Sequence, residues 1–240
     1  MTVSVAITGA TGRMGRLIRE LVEGLDGFAV HAALDSSSAL EEIDGADVLV
    51  DVTRFDVSQR AAEYGLEHGS NVIIGTSGWG REQLTELEAK IPADRGVLVV
   101  PNFSVGSVLA THLATIAGKF YDSIEILEAH HDRKVDSPSG TAVRTAEAIA
   151  EARGDALTPP NAQQRARGEV VAGIPIHALR LRGVVADQQV ILGGEGELMN
   201  IRHETLSNRA YVHGITLALQ HAAELRGLTV GLDTLLGLGQ

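Results

Sequence analysis

A strand, a glycine-rich turn and an amphipathic helix open this chain in an order that strongly restricts its fold. Apolar alternation predicts a buried strand over residues 3–8, and helical spacing predicts a helix from Met14 to Leu25. The turn between them has glycines at GxxGxxG spacing: Gly9, Gly12 and Gly15. The first permits a tight turn, the second lets a pyrophosphate approach the backbone, and the third lets helix and strand pack closely. These features predict a dinucleotide-binding βαβ unit.

Asp35 is the residue from which we infer the cofactor. It ends a second predicted strand, residues 29–34, about twenty residues past the last glycine, where such units carry the acid that binds the adenosine ribose. A carboxylate there repels a 2′-phosphate, which favours NADH. Three small hydrogen-bonding residues at 36–38 and the nearby Arg13 and Arg16 keep NADPH open. We therefore expect NADH or NADPH, with a preference for NADH.

Buried apolar runs separated by helical patterns continue to about residue 104. Such runs indicate a parallel sheet covered on both faces by helices, so we predict a Rossmann-like, doubly wound α/β domain. The runs are Val48–Val52, Asn71–Ile74 and Val97–Val100. Ligands bind at the carboxyl ends of such strands, where the polar turns Gly75–Gly78 and Pro101–Ser104 fall. Taken alone, each segment would be interpreted as an ordinary turn. Because the glycine pattern is also present, we expect both turns to contact the nicotinamide and its ribose.

The pattern changes after Ser104. A helix is predicted over 105–120 and a strand over 123–129, and three further strand-like pieces follow: Ile176–Leu181, Gln188–Leu192 and Leu198–Glu204. Glycines at Gly193–Gly196 predict a hairpin between the last two. We expect an inserted α+β domain with a mixed or antiparallel sheet, after which a helix from Val212 returns the chain. The predicted domains are 1–103 with 214–240, and 104–213.

Residues 128–142 bring two histidines, a lysine and a small-residue turn into one short segment that follows a predicted strand. We expect these side chains on a loop, with Ser139 capping the next helix. The amides of Ser139, Gly140 and Thr141, aided by the helix dipole, can hold a carboxylate or phosphate. Lys134 adds positive charge, and either histidine can pass a proton near neutral pH. This predicts acid catalysis on an anionic substrate.

Two other interpretations of this segment remain. One is a solvated charged loop followed by an ordinary capped helix. The other is a metal site at His130, His131, Asp132 and Asp136, which Arg133 and Lys134 oppose by their charge. We therefore expect no metal.

Charge and composition exclude several classes of partner. Twenty basic and thirty-one acidic residues give a net charge of −11, which argues against nucleic acid and anionic membranes. The chain has no cysteine and no apolar run long enough to span a bilayer, and its first residues run into a predicted strand, so we expect no signal peptide. We expect a cytoplasmic protein.

The motifs together resemble the 4-hydroxy-tetrahydrodipicolinate reductase (dihydrodipicolinate reductase) family of lysine and diaminopimelate biosynthesis. Four pieces carry the resemblance, in an order that matches over essentially the whole chain: Gly9–Gly15, Gly75–Gly78, Pro101–Ser104 and Glu128–Ala142. The last, His-His-x-x-Lys-x-Asp-x-Pro-Ser-Gly-Thr-Ala, is the most specific.

The resemblance implies NAD(P)H-dependent reduction of 4-hydroxy-tetrahydrodipicolinate to tetrahydrodipicolinate. It implies His130 as the catalytic acid, Lys134 as its partner, and His131, Gly140 and Thr141 as substrate-binding positions. Ser139 is added to these positions from the helix-start argument above. It also implies a homotetramer formed through the sheet of the second domain. The implied cofactor contacts are Gly9, Ala10, Thr11, Gly12, Arg13, Met14, Asp35, Gly75, Thr76, Ser77, Val100, Pro101, Asn102 and Phe103.

The sequence departs from the family pattern in three places. Ser77 stands where many relatives have threonine, Arg54-Phe55 where a proline is common, and Val184–Asp187 lacks an expected glycine and histidine. Two other functions remain open: a different two-domain dehydrogenase of small acids, and a non-enzymatic cofactor-binding sensor. A sensor is expected to lose the acid and the lysine, and this chain keeps both.

Overall fold

The computed structural model describes residues 2–238, which form two compact units. Unit 1 runs to Phe103 and resumes at Tyr211, and unit 2 comprises Ser104–Ala210. The chain returns to unit 1 at residue 211, slightly before the boundary at 214 that the sequence predicts. A short 3-10 turn, Asn208–Tyr211, leads directly into the last helix, whose Gly214 and Ile215 are buried.

The elements are numbered in chain order. The strands are β1 (Val3–Thr8), β2 (Phe28–Leu34), β3 (Val48–Asp51), β4 (Asn71–Ile74), β5 (Gly96–Val99), β6 (Ser123–His130), β7 (Glu169–Val171), β8 (Ile174–Arg180), β9 (Ala186–Gly194), β10 (Glu197–Thr205) and β11 (Gly227–Val230). The helices are α1 (Arg13–Gly24), α2 (Phe55–Glu67), α3 (Arg81–Glu88), α4 (Val105–Gly118), α5 (Gly140–Arg153) and α6 (Val212–Ala222).

Unit 1 is a six-stranded parallel sheet in the order β11-β5-β4-β3-β1-β2. Every residue of β3, β4 and β5 is buried, as the continuous apolar runs predict for strands covered on both faces. Alternate residues pack against α2 and α3 on one side, and α1 and α6 contact each other on the other side. The predicted Rossmann-like fold is confirmed.

Strand β11 is the element of unit 1 that the sequence analysis missed. It extends the sheet as an edge strand parallel to β5. Its four residues are exposed or half-buried, so the apolar run that marks the central strands is absent from its sequence. Its place is fixed by pairing with β5.

Unit 2 is a mixed sheet in the order β10-β9-β6-β8-β7, in which β6 runs parallel to β8 and antiparallel to β9. Helices α4 and α5 pack on one face, around a core that includes Ile126, Ala146 and Ile149. The β9–β10 hairpin turns at Glu195-Gly196, as the glycines predict, and Gly196 has a φ of +79°. On the opposite face of the sheet, Leu179 and Leu198 are exposed.

The predicted second domain is therefore confirmed as α+β, although its strands extend further than the sequence indicates. β6 continues to His130, and the short β7 follows the polar segment 158–168. None of the helices within residues 2–238 combines the length and apolar character needed to cross a membrane.

Candidate active site

The glycine turn of unit 1 leaves the first turn of α1 open to an anion. Gly12 is the N-cap of α1, no side chain caps it, and the first turn carries no acidic residue. Gly9 has a φ of +80°. A Cβ on Gly15 would lie 2.2 Å from the carbonyl oxygen of Gly9, so a side chain there would separate α1 from the turn. The backbone thus fits the pyrophosphate of a dinucleotide.

A cleft of about 760 Å³ lies beside this turn, entirely within unit 1. It brings four of the predicted cofactor residues together: Gly9, Thr11, Gly12 and Asp35. Its other lining residues are Thr8, Leu34, Ser36, Ser38, Leu40, Val52, Thr53, Arg54, Val57 and Arg60. Ala10, Arg13 and Met14 belong to the same turn and to the start of α1 but do not line the cleft.

Asp35 is held in place by its own turn. The N–H and the hydroxyl of Ser37 donate to Asp35 Oδ1 over 2.8 and 2.7 Å. These bonds lower the pKa of the Asp35 carboxyl below its usual value, so the group is charged at neutral pH. Ser37 makes no hydrogen bond to the second oxygen of this carboxylate. In dinucleotide-binding units, the acid at this position accepts a hydrogen bond from a ribose hydroxyl.

The positive charges that line the cleft come from Arg54 and Arg60. Arg13 and Arg16, which the sequence suggests as nearby positive charges, do not line the cleft. Arg54 forms an ion pair with Asp56 at 2.9 Å, and Arg60 Nε donates to the Asp56 carbonyl. The role of Arg54 could have been inferred from its position just after the carboxyl end of β3, because ligands bind at these strand ends in open α/β sheets.

Asp51, to which no sequence pattern gives a role, is a buried carboxylate at the end of β3. It accepts three threonine hydroxyls, from Thr8 at 2.7 Å, Thr53 at 2.6 Å and Thr76 at 2.5 Å. The three threonines come from the end of β1, the turn after β3 and the turn after β4. One carboxylate therefore ties together three loops at the ligand-binding edge of the sheet.

The two predicted nicotinamide turns meet through Gly75 and Phe103. A Cβ on Gly75 would lie 2.6 Å from Phe103 Cε2, so the turn after β4 packs on that ring only because residue 75 is glycine. Val100 and Phe103 are buried, Asn102 is half-buried, and Ser77 and Pro101 are exposed. The departure at Phe55 has a structural explanation, because its ring packs edge-on against Trp79 at 5.3 Å.

In unit 2, His130 is the last residue of β6, which corrects the predicted loop position. Residues two apart on a strand share a face, so His130 and Glu128 lie side by side, with His130 Nδ1 2.7 Å from Glu128 Oε2. The side chain of Glu128 is fully buried and that of His130 is 16% exposed. The strand therefore fixes the histidine through a neighbouring carboxylate.

Glu128 has three further hydrogen bonds. Arg180 donates to both carboxylate oxygens, at 2.9 and 3.0 Å, and the N–H of Ser139 donates to Oε1 at 3.1 Å. Burial alone would raise the pKa of Glu128, but the hydrogen bonds and charges of His130 and Arg180 outweigh it and hold this pKa below its usual value. Glu128 is therefore an ionised, buried carboxylate at neutral pH.

Lys134 and His131 lie on the turn that follows His130. The Lys134 ammonium pairs with Asp136 at 2.8 Å, and the Lys134 N–H donates to the His131 carbonyl. His131 Nδ1 is buried without a hydrogen-bond partner among the described residues. Nowhere in residues 2–238 do three or more histidine or acidic side chains gather in a way that could hold a metal ion.

The first turn of α5 has the cap that the sequence predicts, with one correction. Ser139 is the N-cap, and its hydroxyl accepts the N–H of Ala142 at 3.2 Å. The N–H of Ser139 is not available to a ligand, because it donates to Glu128. Of the amides predicted to bind an anion, those of Gly140 and Thr141 are left, and Gly140 is exposed.

A parallel sheet with an open glycine turn, joined to a second unit that places a histidine–carboxylate pair beside a helix N-terminus, defines a two-domain dinucleotide-dependent oxidoreductase. Comparison with known proteins assigns the family. Residues 3–103 match "Dihydrodipicolinate reductase, N-terminus" and residues 105–236 match "Dihydrodipicolinate reductase, C-terminus". The chain belongs to the dihydrodipicolinate reductase family, and it is an enzyme.

Individual relatives agree over the full length. The chain is 54% identical to the 4-hydroxy-tetrahydrodipicolinate reductase of Clavibacter sepedonicus, over 99% of this chain and 87% of that one. It is 42% identical to the reductase of the same name from Beutenbergia cavernae, over 99% and 100%. A dipicolinate-bound dihydrodipicolinate reductase from Paenisporosarcina sp. TG-14 superposes with a TM-score of 0.79 at 32% identity, covering 98% of this chain and 99% of that chain.

Proposed function

We propose that this protein reduces 4-hydroxy-tetrahydrodipicolinate to tetrahydrodipicolinate with NADH or NADPH, in lysine and diaminopimelate biosynthesis. The observation that carries the proposal is the group formed by His130, Lys134 and the start of α5, in a chain whose relatives bear this reductase name. The two halves of the reaction fall to different units. Unit 1 would hold the dinucleotide, and unit 2 would hold the substrate.

The residues of unit 1 fit a dinucleotide. The open first turn of α1 at Gly12 suits the pyrophosphate, and the ionised Asp35 suits the adenosine ribose. The nicotinamide ribose would be held by the turns at Gly75–Ser77 and Val100–Phe103. These two turns pack closely against each other, with Gly75 against the Phe103 ring. When bound, the reduced nicotinamide supplies a hydride. The lone carboxylate at residue 35 favours NADH over NADPH.

His130 would donate the proton that completes the reduction. Hydride addition to a conjugated C=C/C=N system builds negative charge, and a positioned acid that quenches it typically contributes 10²–10⁴-fold in rate. Lys134 would assist through its positive charge. On substrate binding, its ammonium would leave the ion pair with Asp136 and pair with the anionic substrate. The conjugated system forms when the substrate hydroxyl and a hydrogen on a neighbouring ring carbon leave together as water. The ring then gains one hydride and one proton.

The substrate carboxylates would be held at the start of α5. The amides of Gly140 and Thr141 point along the positive end of the helix dipole. His131, whose buried Nδ1 has no partner within the described part of the chain, would supply a further polar contact. A dicarboxylate needs two polar positions, and this segment offers His131 next to the acid and the first turn of α5 further along the chain.

The experiment uses the substrate generated in situ from pyruvate and aspartate semialdehyde, with loss of NADH or NADPH absorbance as the readout. Wild type is compared with His130→Gln and Lys134→Ala. His177→Gln is the matched control, because His177 also pairs with a glutamate of β6, namely Glu125 at 2.7 Å. We expect turnover by wild type and His177→Gln, and losses of about 10²–10⁴-fold in the two site variants. Absence of turnover with both coenzymes, while NADH still binds, would refute the proposed reaction.

We also propose that the chain forms a homotetramer through the open face of the unit 2 sheet. On this face, Leu179 of β8 and Leu198 of β10 are exposed to 42% and 71%, and contact with another chain would remove these apolar side chains from water. Light scattering on purified protein would report the mass. We expect four chains in wild type and smaller species for Leu179→Lys/Leu198→Lys; a monomeric wild type would contradict the proposal.

A further inference from the structure

Glu128 and Glu125 lie three residues apart on β6 and make similar contacts on opposite faces of the sheet. Glu128 pairs with His130 and Arg180, and Glu125 pairs with His177 and Arg167. The two carboxylates differ in burial: Glu128 is fully buried, and Glu125 is 29% exposed. They differ also in what else they hold, because only Glu128 bonds the residue that caps α5.

The protonation state of Glu128 decides which nitrogen of His130 can give up a proton. A carboxylate whose pKa is held low is ionised and can only accept hydrogen bonds. His130 Nδ1, 2.7 Å from that carboxylate, must therefore carry its hydrogen in both the neutral and the charged ring. The proton that comes and goes is then the one on Nε2.

A role in stability alone is a weak explanation for Glu128. Burying a carboxylate and a guanidinium removes both from water, and apolar replacements of such pairs are often neutral or stabilising. The Glu128 carboxylate also bridges two functional elements, since Oε2 meets His130 and Oε1 accepts the N–H of Ser139. It thereby fixes the ring of the acid relative to the start of α5, where the substrate carboxylate would bind.

We propose that Glu128 is the positioning residue of the reaction: it holds the Nδ1 hydrogen of His130, so that Nε2 delivers the proton to substrate, and it sets the distance from that acid to the first turn of α5. The proposal rests on the proposed function in one respect, namely that His130 is the acid. Arg180 supports this role of Glu128 by balancing its negative charge. The same guanidinium also donates to the carbonyl of Asp136 at 2.6 Å.

The first test needs no turnover. In ¹⁵N-labelled wild type, the imidazole nitrogens of His130, assigned by their disappearance in His130→Gln, report the tautomer of the neutral ring. We expect hydrogen on Nδ1 and a lone pair on Nε2. Hydrogen on Nε2 in the neutral ring would overturn the proposal, whether or not the protein turns over the substrate, so this result is separate from the fate of the proposed function.

The second test compares Glu128→Gln with Glu125→Gln as its matched control. A glutamine amide can donate to Nδ1, so the variant at 128 should shift the neutral ring toward the Nε2–H tautomer. We expect kcat to fall about 10²-fold or more, by a larger factor than KM rises, with NADH affinity unchanged. Glu125→Gln should stay within about threefold of wild type in kcat, a difference below 1 kcal/mol.

Equal kcat values for the two glutamine variants would refute the positioning role. If Glu128→Gln does not fold, the tautomer of wild-type His130 decides the question alone. If wild type has no activity, the proposed reaction fails, and the tautomer still establishes whether Glu128 directs the ring.

Discussion

The hydroxyl of Thr76 donates to Asp51 Oδ2 across 2.5 Å and accepts the N–H of Thr53 across 2.8 Å. The turn after β4 is thus bonded both to the end of β3 and to the turn that follows it. Each unit of the protein contains a fully buried carboxylate beside its proposed ligand site, Asp51 in unit 1 and Glu128 in unit 2. Asp51 joins three threonines at the edge of the parallel sheet, and Glu128 joins the ends of β6 and β8 to the residue that caps α5.

Replacing Thr76 with valine should weaken cofactor binding without unfolding the protein. The change removes the donor to Asp51 and leaves the Thr53 N–H without its acceptor, which costs roughly 1–2 kcal/mol. If that loss falls on the loops, the NADH dissociation constant rises about 5- to 30-fold, as fluorescence titration would measure. Thr85→Val, which removes a hydroxyl from the exposed surface of α3, is the control. Unchanged NADH affinity in Thr76→Val would contradict the role assigned to this network.

Gly15 and Gly24 lie in the same helix and should respond oppositely to alanine. A Cβ on Gly15 meets the Gly9 carbonyl at 2.2 Å, and one on Gly24 meets no atom within 4 Å. We expect Gly15→Ala to lose about 1–3 kcal/mol of unfolding free energy together with NADH binding. Gly24→Ala should gain about 0.5–1 kcal/mol, because alanine is the better helix former. Denaturant unfolding measures both, and similar values for the two variants would show that close packing of the turn is unimportant.

Asp35→Ser should reduce discrimination against NADPH. The wild-type carboxylate, whose pKa Ser37 lowers further below neutral pH, would repel a 2′-phosphate and would accept hydrogen bonds from ribose hydroxyls. Its removal should change the ratio of kcat/KM for NADH over NADPH by about tenfold or more, equivalent to roughly 1.4 kcal/mol. Asp26→Ser removes the same charge from an exposed loop outside the cleft and should leave the ratio as it is. A ratio unaffected by Asp35→Ser would assign coenzyme preference to Arg54 and Arg60 instead.

Glu128 should make the protein acid-sensitive. Its folded pKa lies below the ordinary value of 4.5, so its contribution to stability is complete above that value and is lost as pH falls through the folded pKa. The difference in unfolding free energy between wild type and Glu128→Gln should shrink as pH falls below about 4.5, where the wild-type carboxylate becomes protonated. Chemical denaturation across pH 3 to 7 would show this, and a difference that grows on acidification would contradict the sign.

Gly140→Ala should separate folding from substrate binding. A Cβ at residue 140 meets no protein atom within 4 Å, so stability should be unchanged or slightly higher. If a substrate carboxylate sits on the first turn of α5, the added methyl group crowds it, and KM should rise by about tenfold, or roughly 1.4 kcal/mol. Gly24→Ala, which adds a methyl group to α1 instead, is the control and should keep the wild-type KM. A KM equal to that of wild type would place the carboxylate elsewhere.

The sequence by itself determined most of the architecture. The glycine spacing, the buried apolar runs and Asp35 predict the parallel sheet of unit 1, because each is a local pattern with one structural meaning. The Ser139 cap and the Gly193–Gly196 hairpin were predictable for the same reason. Edge strand β11 was not, since a half-exposed strand of four residues has no pattern of its own and exists through its pairing with β5.

Only the tertiary structure decided what the buried carboxylates do. In the sequence, Asp51 and Glu128 are acids in otherwise largely apolar strands, while their partners Thr8, Thr76 and Arg180 lie 25 to 52 positions away along the chain. Hydrogen bonds at such separations depend on strand order and register, which no local periodicity encodes. The sequence therefore identified the residues with reactive chemistry, and the packing of the strands determined which groups hold them in place.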